Sequence, residues 1–401
     1  MLRREPIKTW RSKFTLLSAL ALSLTAAACG QKDDAAENSN AIKLIFIGQL
    51  TDTANTTPVP EMLAGAEAAV ARINGQGGVN GRPLLLISCD DKADPNEAAK
   101  CARKAVREKV AASVGSNSNF SEAILPVLER GNIASIGQLP ITQGDFSNAN
   151  SFPLQAGSPG MIAGAARLIV EQGTRNLQLV AVDSPAGSLN EKFASAALSG
   201  SAAKILGLTL VPIGAPDYAG YVAAATRNSD GMVIGMNSDQ AGRFLQALHV
   251  SGKSVPVALT VGAVPPDMVK RLGDAAEGLL VTAPFRPLET GGKSNAQFLA
   301  DMKAHAPDAK RNVFSQGGWI AVETFARAMT AQKVKDYSPE SVLRAMSSLS
   351  DLDTGDMIPP LTTTKEYEAP YNRLFINKVM FARITNGELK LIDENWHGTL
   401  F

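Results

Sequence analysis

Histidine and cysteine are scarce: the 401 residues include three of each. His249, His305 and His397 show no spacing that would place two ligands on one helix face, so a metal site is close to excluded and no cofactor is expected. An excess of one charge is also lacking. Lys and Arg number 39 against 38 Asp and Glu, a formal net charge of +1. That leaves no basic surplus to neutralise a phosphate backbone, so nucleic acid is not an expected partner. Aromatic residues are only 5% of the chain, and no apolar run reaches the ~20 residues needed to span a bilayer. What is present is 45% hydrophobic and 19% charged residues, a composition able to bury a sizeable core. The length predicts two or three domains of roughly 100 to 200 residues each.

The N-terminus reads as an address. Arg3, Arg4, Lys8, Arg11 and Lys13 precede an apolar or small stretch over 14–28, the layout of a secretory signal. The run Ala26-Ala27-Ala28-Cys29-Gly30 is similar to a bacterial lipobox, with Ala26 where leucine is usual. It predicts cleavage before Cys29 and acylation of that cysteine; an ordinary signal peptide with a coincidental cysteine is the alternative. Residues 1–28 are thus expected to be a lipoprotein signal peptide, and 29–40 an acylated Cys with a polar, flexible tether. The folded body is expected to start near 41 and to work at the periplasmic or extracellular face, lipid-anchored to the cell envelope. In that oxidising setting Cys89 and Cys101 are expected to form a disulfide, stabilising by on the order of 3 kcal/mol. Two buried free thiols are the competing reading.

From residue 42 the chain alternates. Branched apolar strands are expected at 42–48, 84–88, 110–115 and 133–136, with helices between them. Asp94-Pro95-Asn96-Glu97 has an N-cap acid, a proline at the first helical position and a glutamate placed for a capping box. After Gly157-Ser158-Pro159-Gly160 the rhythm resumes, with strands at 177–182, 205–211, 232–234, 257–259 and 279–281. Consecutive helices at 296–304, 314–330 and 339–346 follow, then a hairpin of 374–384 with 388–392 turning at Asn386-Gly387. The fold class is therefore α/β, two doubly wound parallel-sheet lobes with later segments returning to each.

Catalytic and nucleotide motifs fail on inspection. Gly75-Gln76-Gly77-Gly78 follows a helix rather than a strand, so it is a turn and not a dinucleotide cradle. Gly292-Lys293-Ser294 has Pro287 where a phosphate loop needs its earlier glycine. Ala156-Gly157-Ser158-Pro159-Gly160 lacks the first glycine of a nucleophile elbow. Asp90 and Asp91 are explained as well by a solvated strand end as by acid–base work. The chain is not expected to be an enzyme. A ligand cleft at strand ends is expected instead. Gly115-Ser116-Asn117-Ser118-Asn119 lies between a strand end and a helix start, where Ser118 or Asn119 can cap the helix with Glu122 closing the box.

These features together resemble the type I periplasmic solute-binding proteins of the branched-chain amino acid (leucine/isoleucine/valine-binding) ABC transporter family, over about residues 42–392. The resemblance is carried by Gly65-Ala66, by Ile73-Asn74-Gly75-Gln76-Gly77-Gly78-Val79-Asn80-Gly81, by Cys89-Asp90-Asp91 with Asp94-Pro95, and by Gly273-Asp274-Ala275-Ala276-Glu277-Gly278. It implies a Venus-flytrap of two lobes, 41–156 plus 286–366 and 157–285 plus 367–401, joined by a three-segment hinge near 156–158, 283–286 and 365–370. It also implies a small-molecule ligand and a membrane permease of an ABC transporter as partner. A sensor subunit signalling to a membrane kinase would use the same fold. A monomer is expected from the few aromatics and the lack of a long heptad pattern.

The family's site transfers only in part. Asn117, Ser118 and Asn119 match the serine-bearing loop that holds a ligand carboxylate, and the loop containing Gln138, Leu139 and Thr142 matches the one contributing backbone groups. The usual second-lobe tyrosine falls at Ala186, the acid that takes an α-ammonium falls at Val261, and a first-lobe aromatic falls near Pro58. Asp183 or Asp239 could supply an acid from elsewhere, and Arg243 or Arg286 could serve an organic acid. Ser184 and Asn237 are candidate neutral contacts. A buried ammonium without a carboxylate is penalised by several kcal/mol. The sequence therefore points to an uncharged or hydrophobic ligand, with a branched-chain amino acid as the alternative.

Overall fold

The computed structural model describes residues 40–53 and 58–400, without the side chains of 185 and 186. The expected signal peptide, the acylated Cys29 and the tether up to residue 39 lie outside the described residues. β1 (Ile42–Gly48) is apolar on both faces, and Leu44, Ile45, Phe46 and Ile47 are each at most 1% exposed. It is an inner strand of a sheet completed by β2 (Leu84–Asp90), β3 (Ala112–Val114), β4 (Ala134–Ile136) and β5 (Ser151–Phe152). All neighbours are parallel, in the order β2-β1-β3-β4-β5.

Helices Pro60–Gly75, Pro95–Arg107, Ser121–Arg130 and Gln143–Ser147 make the crossovers. Asp94 caps the second of these, accepting from the Asn96 and Glu97 amides. The expected capping box gives way to another pairing, because Glu97 turns to Lys100 one turn on. Cys89 and Cys101 form the disulfide, joining the end of β2 to that helix.

A second sheet repeats the winding. β6 (Asn176–Val182), β7 (Lys204–Val211), β8 (Gly231–Gly235), β9 (Val257–Thr260) and β10 (Leu280–Ala283) run parallel in the order β7-β6-β8-β9-β10. β11 (Lys378–Thr385) then adds antiparallel to β10, followed by β12 (Glu388–Leu391) and β13 (His397–Gly398). The hairpin turn at Asn386 and Gly387 has φ of 56° and 72°, the conformation that an Asn-Gly pair favours. It starts at 378 rather than 374; just before it, Asn377 Oδ1 accepts from the Leu400 amide at 3.1 Å, tying the C-terminus to the strand start.

Three departures from the sequence reading are local. Gly157-Ser158-Pro159-Gly160 is the first turn of helix Gly157–Glu171 rather than the stretch before it; proline is tolerated there because a first-turn N–H has no helical partner. The helix Gln143–Ser147 and the two-residue β5 were unforeseen, being too short to show a period.

The chain crosses between the sheets three times: after β5, after β10 and before β11. Helices Lys293–His305, Val313–Ala331 and Pro339–Ser347 return to the first sheet, where Trp319, Phe325 and Met346 bury against Leu44, Val114 and Ile136. The opposite face holds Ile45, Ile47, Leu128 and Cys101. Helices Pro60–Gly75 and Val313–Ala331 meet backbone to backbone. A methyl on Gly318 would lie 1.9 Å from the Met62 carbonyl oxygen, and one on Gly65 would lie 1.9 Å from that of Ser315. That crossing brings Met62 level with Phe314 and Gly317 at the edge of the lobe.

Candidate functional site

In a sheet of order 2-1-3-4-5, ligands sit beyond the carboxyl ends of the strands. A 490 Å³ cavity occupies that place between the two sheets. Leu139, Pro140 and Ile141, after β4, line it from the first lobe with Met62 and Phe314. Val182 and Ser184 at the end of β6, Met236 and Asn237 after β8, Thr260 and Val261 at the end of β9, and Pro284 after β10 line it from the second. Helix Gly157–Glu171 adds Met161 and Ile162. A larger groove of 780 Å³ lies between helices Ala219–Ala225, Ser238–Val250 and Pro266–Leu272 of one lobe and meets no strand end in the cleft.

The lining loops are held by their own hydrogen bonds. Asp145, fully buried, accepts from the amides of Ile141 at 2.9 Å and Thr142 at 2.8 Å, fixing the turn that presents Leu139 to Ile141. Burial raises the Asp145 pKa above the ordinary carboxylate value, and the bonds from Thr142 and Ile141 only partly offset that. Asn237 caps helix Ser238–Val250, accepting from the Gln240 amide at 3.0 Å and donating to Gln240 Oε1 at 2.8 Å. Ser184 Oγ accepts from the Gly187 amide at 3.0 Å.

Of the residues singled out from sequence, Leu139, Ser184, Asn237 and Val261 meet at this cavity. Asn117, Ser118, Asn119, Gln138 and Thr142 are not part of its lining. Asn117 extends the sheet instead, pairing its backbone with Gly48 across the gap between β1 and β3. The capping expectation at this loop is corrected. Phe120 occupies the N-cap position without a side-chain bond. Ser118 donates to Asp91 and accepts from the Phe120 amide, while Glu122 accepts from Gly144 N at 2.8 Å. Burial raises the Asp91 pKa despite the Ser118 bond. Gln138 is buried between Ser135 and Ser151, Asn119 is exposed in a turn, and Thr142 caps helix Gln143–Ser147 with Asp145.

The charged alternatives lie elsewhere. Asp239 pairs with Arg243 at 3.1 Å on the outer groove. Arg286 bonds Glu394 at 2.5 Å, and Asp183 is exposed outside the lining. Among the described lining residues none is charged. A smaller hollow of 230 Å³ adjoins the cavity, sharing Val261 and Phe314, and there Glu61, Glu289, Lys310 and Arg311 appear. Glu61 accepts from Asn312 Nδ2 at 2.8 Å.

Sequence reasoning missed Met62, Met161, Ile162, Met236, Phe314, Gln155 and Asn190, all of which line the cavity. Several of the apolar ones sit on helices, where a lining methionine has the same spacing as a core methionine. The result is a predominantly apolar chamber with a few amide and hydroxyl groups, a chemistry suited to holding a small molecule.

Residues 44–388 match the family model described as periplasmic binding protein. The Leu/Ile/Val-binding protein of Escherichia coli (strain K12) is 26% identical over 229 residues, covering 55% of this chain and 61% of that protein. The aligned region thus spans about three fifths of that relative's length. The Leu/Ile/Val/Thr-binding protein of Salmonella typhimurium is 25% identical over 283 residues, covering 68% of this chain and 74% of its own length. Among solved structures, the ABC transporter substrate-binding protein from Sphaerobacter thermophilus superposes with a TM-score of 0.71 at 19% identity, over 90% of this chain and 98% of that one.

Proposed function

The chain belongs to the periplasmic binding protein family, and from that premise we propose that it is an extracytoplasmic receptor for a small, uncharged or hydrophobic molecule. It captures this ligand between its lobes and delivers it to the permease of an ABC-type uptake system, without catalysis of its own. The observation that carries the ligand class is the absence of charge among the described lining residues of the 490 Å³ cavity. A zwitterion there would leave its ammonium without a carboxylate partner, at several kcal/mol. In this reading the lobes are 41–156 plus 286–366 and 157–285 plus 367–401. Closure follows because a ligand touching both lobes binds the closed form better than the open one. Cys29, acylated, would hold the receptor to the envelope as a monomer. Partnership with a sensor kinase is the other use of the same closure.

A branched-chain amino acid is the second reading, favoured by the names of the relatives and by Glu61 in the adjoining hollow. The test is to unfold and refold the protein, freeing any carried ligand, and to follow its melting temperature against a solute panel. A ligand at 100 times its Kd adds ~2.7 kcal/mol, a shift of about 4 °C at this size. Shifts with neutral apolar solutes and none with leucine, isoleucine or valine are expected. The reverse pattern would refute the uncharged-ligand reading and make Glu61, in the adjoining hollow, the candidate partner of the ammonium.

A further inference from the structure

We propose that Gln155 and Asn190 are the polar determinants of the cavity, and that they select a neutral, mainly apolar molecule bearing an amide-type group. The proposal rests on the cavity being the ligand site. Six polar side chains line it: Gln155, Ser158, Ser184, Asn190, Asn237 and Thr260. Ser184 and Asn237 are occupied in capping their own loops, Ser158 is exposed and Thr260 is only half-buried.

Gln155 and Asn190 differ from these. They are 7% and 8% exposed, yet neither side-chain amide has a hydrogen-bond partner among the described residues. Both amides border the cavity and stay open to it rather than sealed in protein, so a ligand that takes solvent's place there must complete their bonds or leave them unpaired at a cost.

The position of Asn190 is built rather than incidental. A methyl on Gly235 would lie 2.1 Å from Asn190 Nδ2, so the glycine at the end of β8 clears the space that the amide takes. Ile162 Cδ1 closes the same spot, 3.2 Å from that methyl position. Gln155 stands at the first crossing between the sheets and Asn190 begins helix Asn190–Ala197 of the second lobe, so one ligand can engage both sides of the cleft. Each carboxamide offers an acceptor oxygen beside N–H donors. Its complement is a group with a donor and an acceptor side by side, as in an amide or lactam. A carboxylate would supply acceptors alone, and an ammonium donors alone.

The test uses the full chain, three probes and three variants. The probes are N-acetyl-L-leucinamide (neutral, with two amides), isobutylbenzene (apolar, without one) and L-leucine (charged). The variants are Gln155→Met, Asn190→Leu and Gly235→Ala, each studied by calorimetric titration and by the melting temperature of the ligand-free protein. Wild type is expected to bind N-acetyl-L-leucinamide, and all three variants to bind it at least tenfold more weakly. Isobutylbenzene should bind Gln155→Met and Asn190→Leu no more weakly than wild type. Ligand-free Gln155→Met and Asn190→Leu should melt at the wild-type temperature or above it, because neither substitution breaks a bond to the rest of the protein and each adds apolar surface to the cavity wall. A clear drop in their ligand-free melting temperature would make the amides structural and overturn the proposal. So would undiminished affinity of both for N-acetyl-L-leucinamide, or isobutylbenzene binding wild type where N-acetyl-L-leucinamide does not. Preferred binding of L-leucine would instead overturn the uncharged-cavity reading beneath it.

Discussion

Replacing Gly318 with alanine tests whether the floor of the cleft depends on two helices touching at their backbones. The added methyl would stand 1.9 Å from the Met62 carbonyl oxygen, 2.9 Å from its carbon and 3.1 Å from the Ala66 nitrogen. Ordinary contact begins at 3.4 Å, so helices Pro60–Gly75 and Val313–Ala331 must part by about 1.5 Å in an interior packed as densely as a crystal. Overpacking typically costs ~1–3 kcal/mol, and here backbone atoms take the collision, so the upper end, ~3 kcal/mol, is expected. Gly75, at the end of the first helix, has nothing within 4 Å of its methyl position. Gly75→Ala should therefore be neutral or stabilising by ~0.5–1 kcal/mol. Urea titration followed by tryptophan fluorescence suits the question, since Trp319 is next to the substitution and only 3% exposed. Met62 and Gly317 line the cavity, so ligand affinity should fall along with stability in Gly318→Ala. Stability within 0.5 kcal/mol of wild type, or an equal loss in Gly75→Ala, would refute the argument.

Two further perturbations follow from features described above. Cys101→Ser opens the short loop closed by the disulfide to Cys89 and should lower stability by on the order of 3 kcal/mol; reductant should do the same to wild type and nothing to the variant, and equal unfolding midpoints would count against it. Asp145→Asn keeps an acceptor for the Ile141 and Thr142 amides but removes a carboxyl whose pKa burial raises in the folded state. Wild type loses stability as pH climbs from the ordinary carboxylate value through that raised one, because the folded state binds the extra proton. The variant's stability relative to wild type should therefore improve from about pH 4 upward and then level off. A difference that stays flat from about pH 3 to pH 8 would contradict that sign.

The architecture was largely legible because its signals are local and repeated. Branched apolar runs such as Ile42–Gly48 and the Asn386-Gly387 turn each carry their structure in a few residues. Less legible were elements decided by packing, such as β5, or the first turn of helix Gly157–Glu171 with its glycines and proline. The site divides along the same line. Leu139, Ser184, Asn237 and Val261 follow strand ends, where parallel topology directs attention. Ser118 could not be placed from sequence, because its pairing with Asp91 joins positions 27 residues apart. Met62 and Asn190 belong to helices, and which face a helix turns to the cleft depends on its neighbours, as the Gly65 and Gly318 crossing shows.

The threefold passage of the chain between sheets also bears on the order in which the molecule can assemble. The strands of the first lobe are complete in sequence by Phe152, yet the helix that buries Leu44, Val114 and Ile136 is Val313–Ala331, encoded beyond every parallel strand of the second lobe. A chain emerging from its N-terminus thus cannot finish its first core and then its second, as proteins with contiguous domains do. One apolar face of the first sheet therefore lacks its full cover until residues up to Ala331 are available, so the core of the first lobe is closed only after the strands of the second have been made.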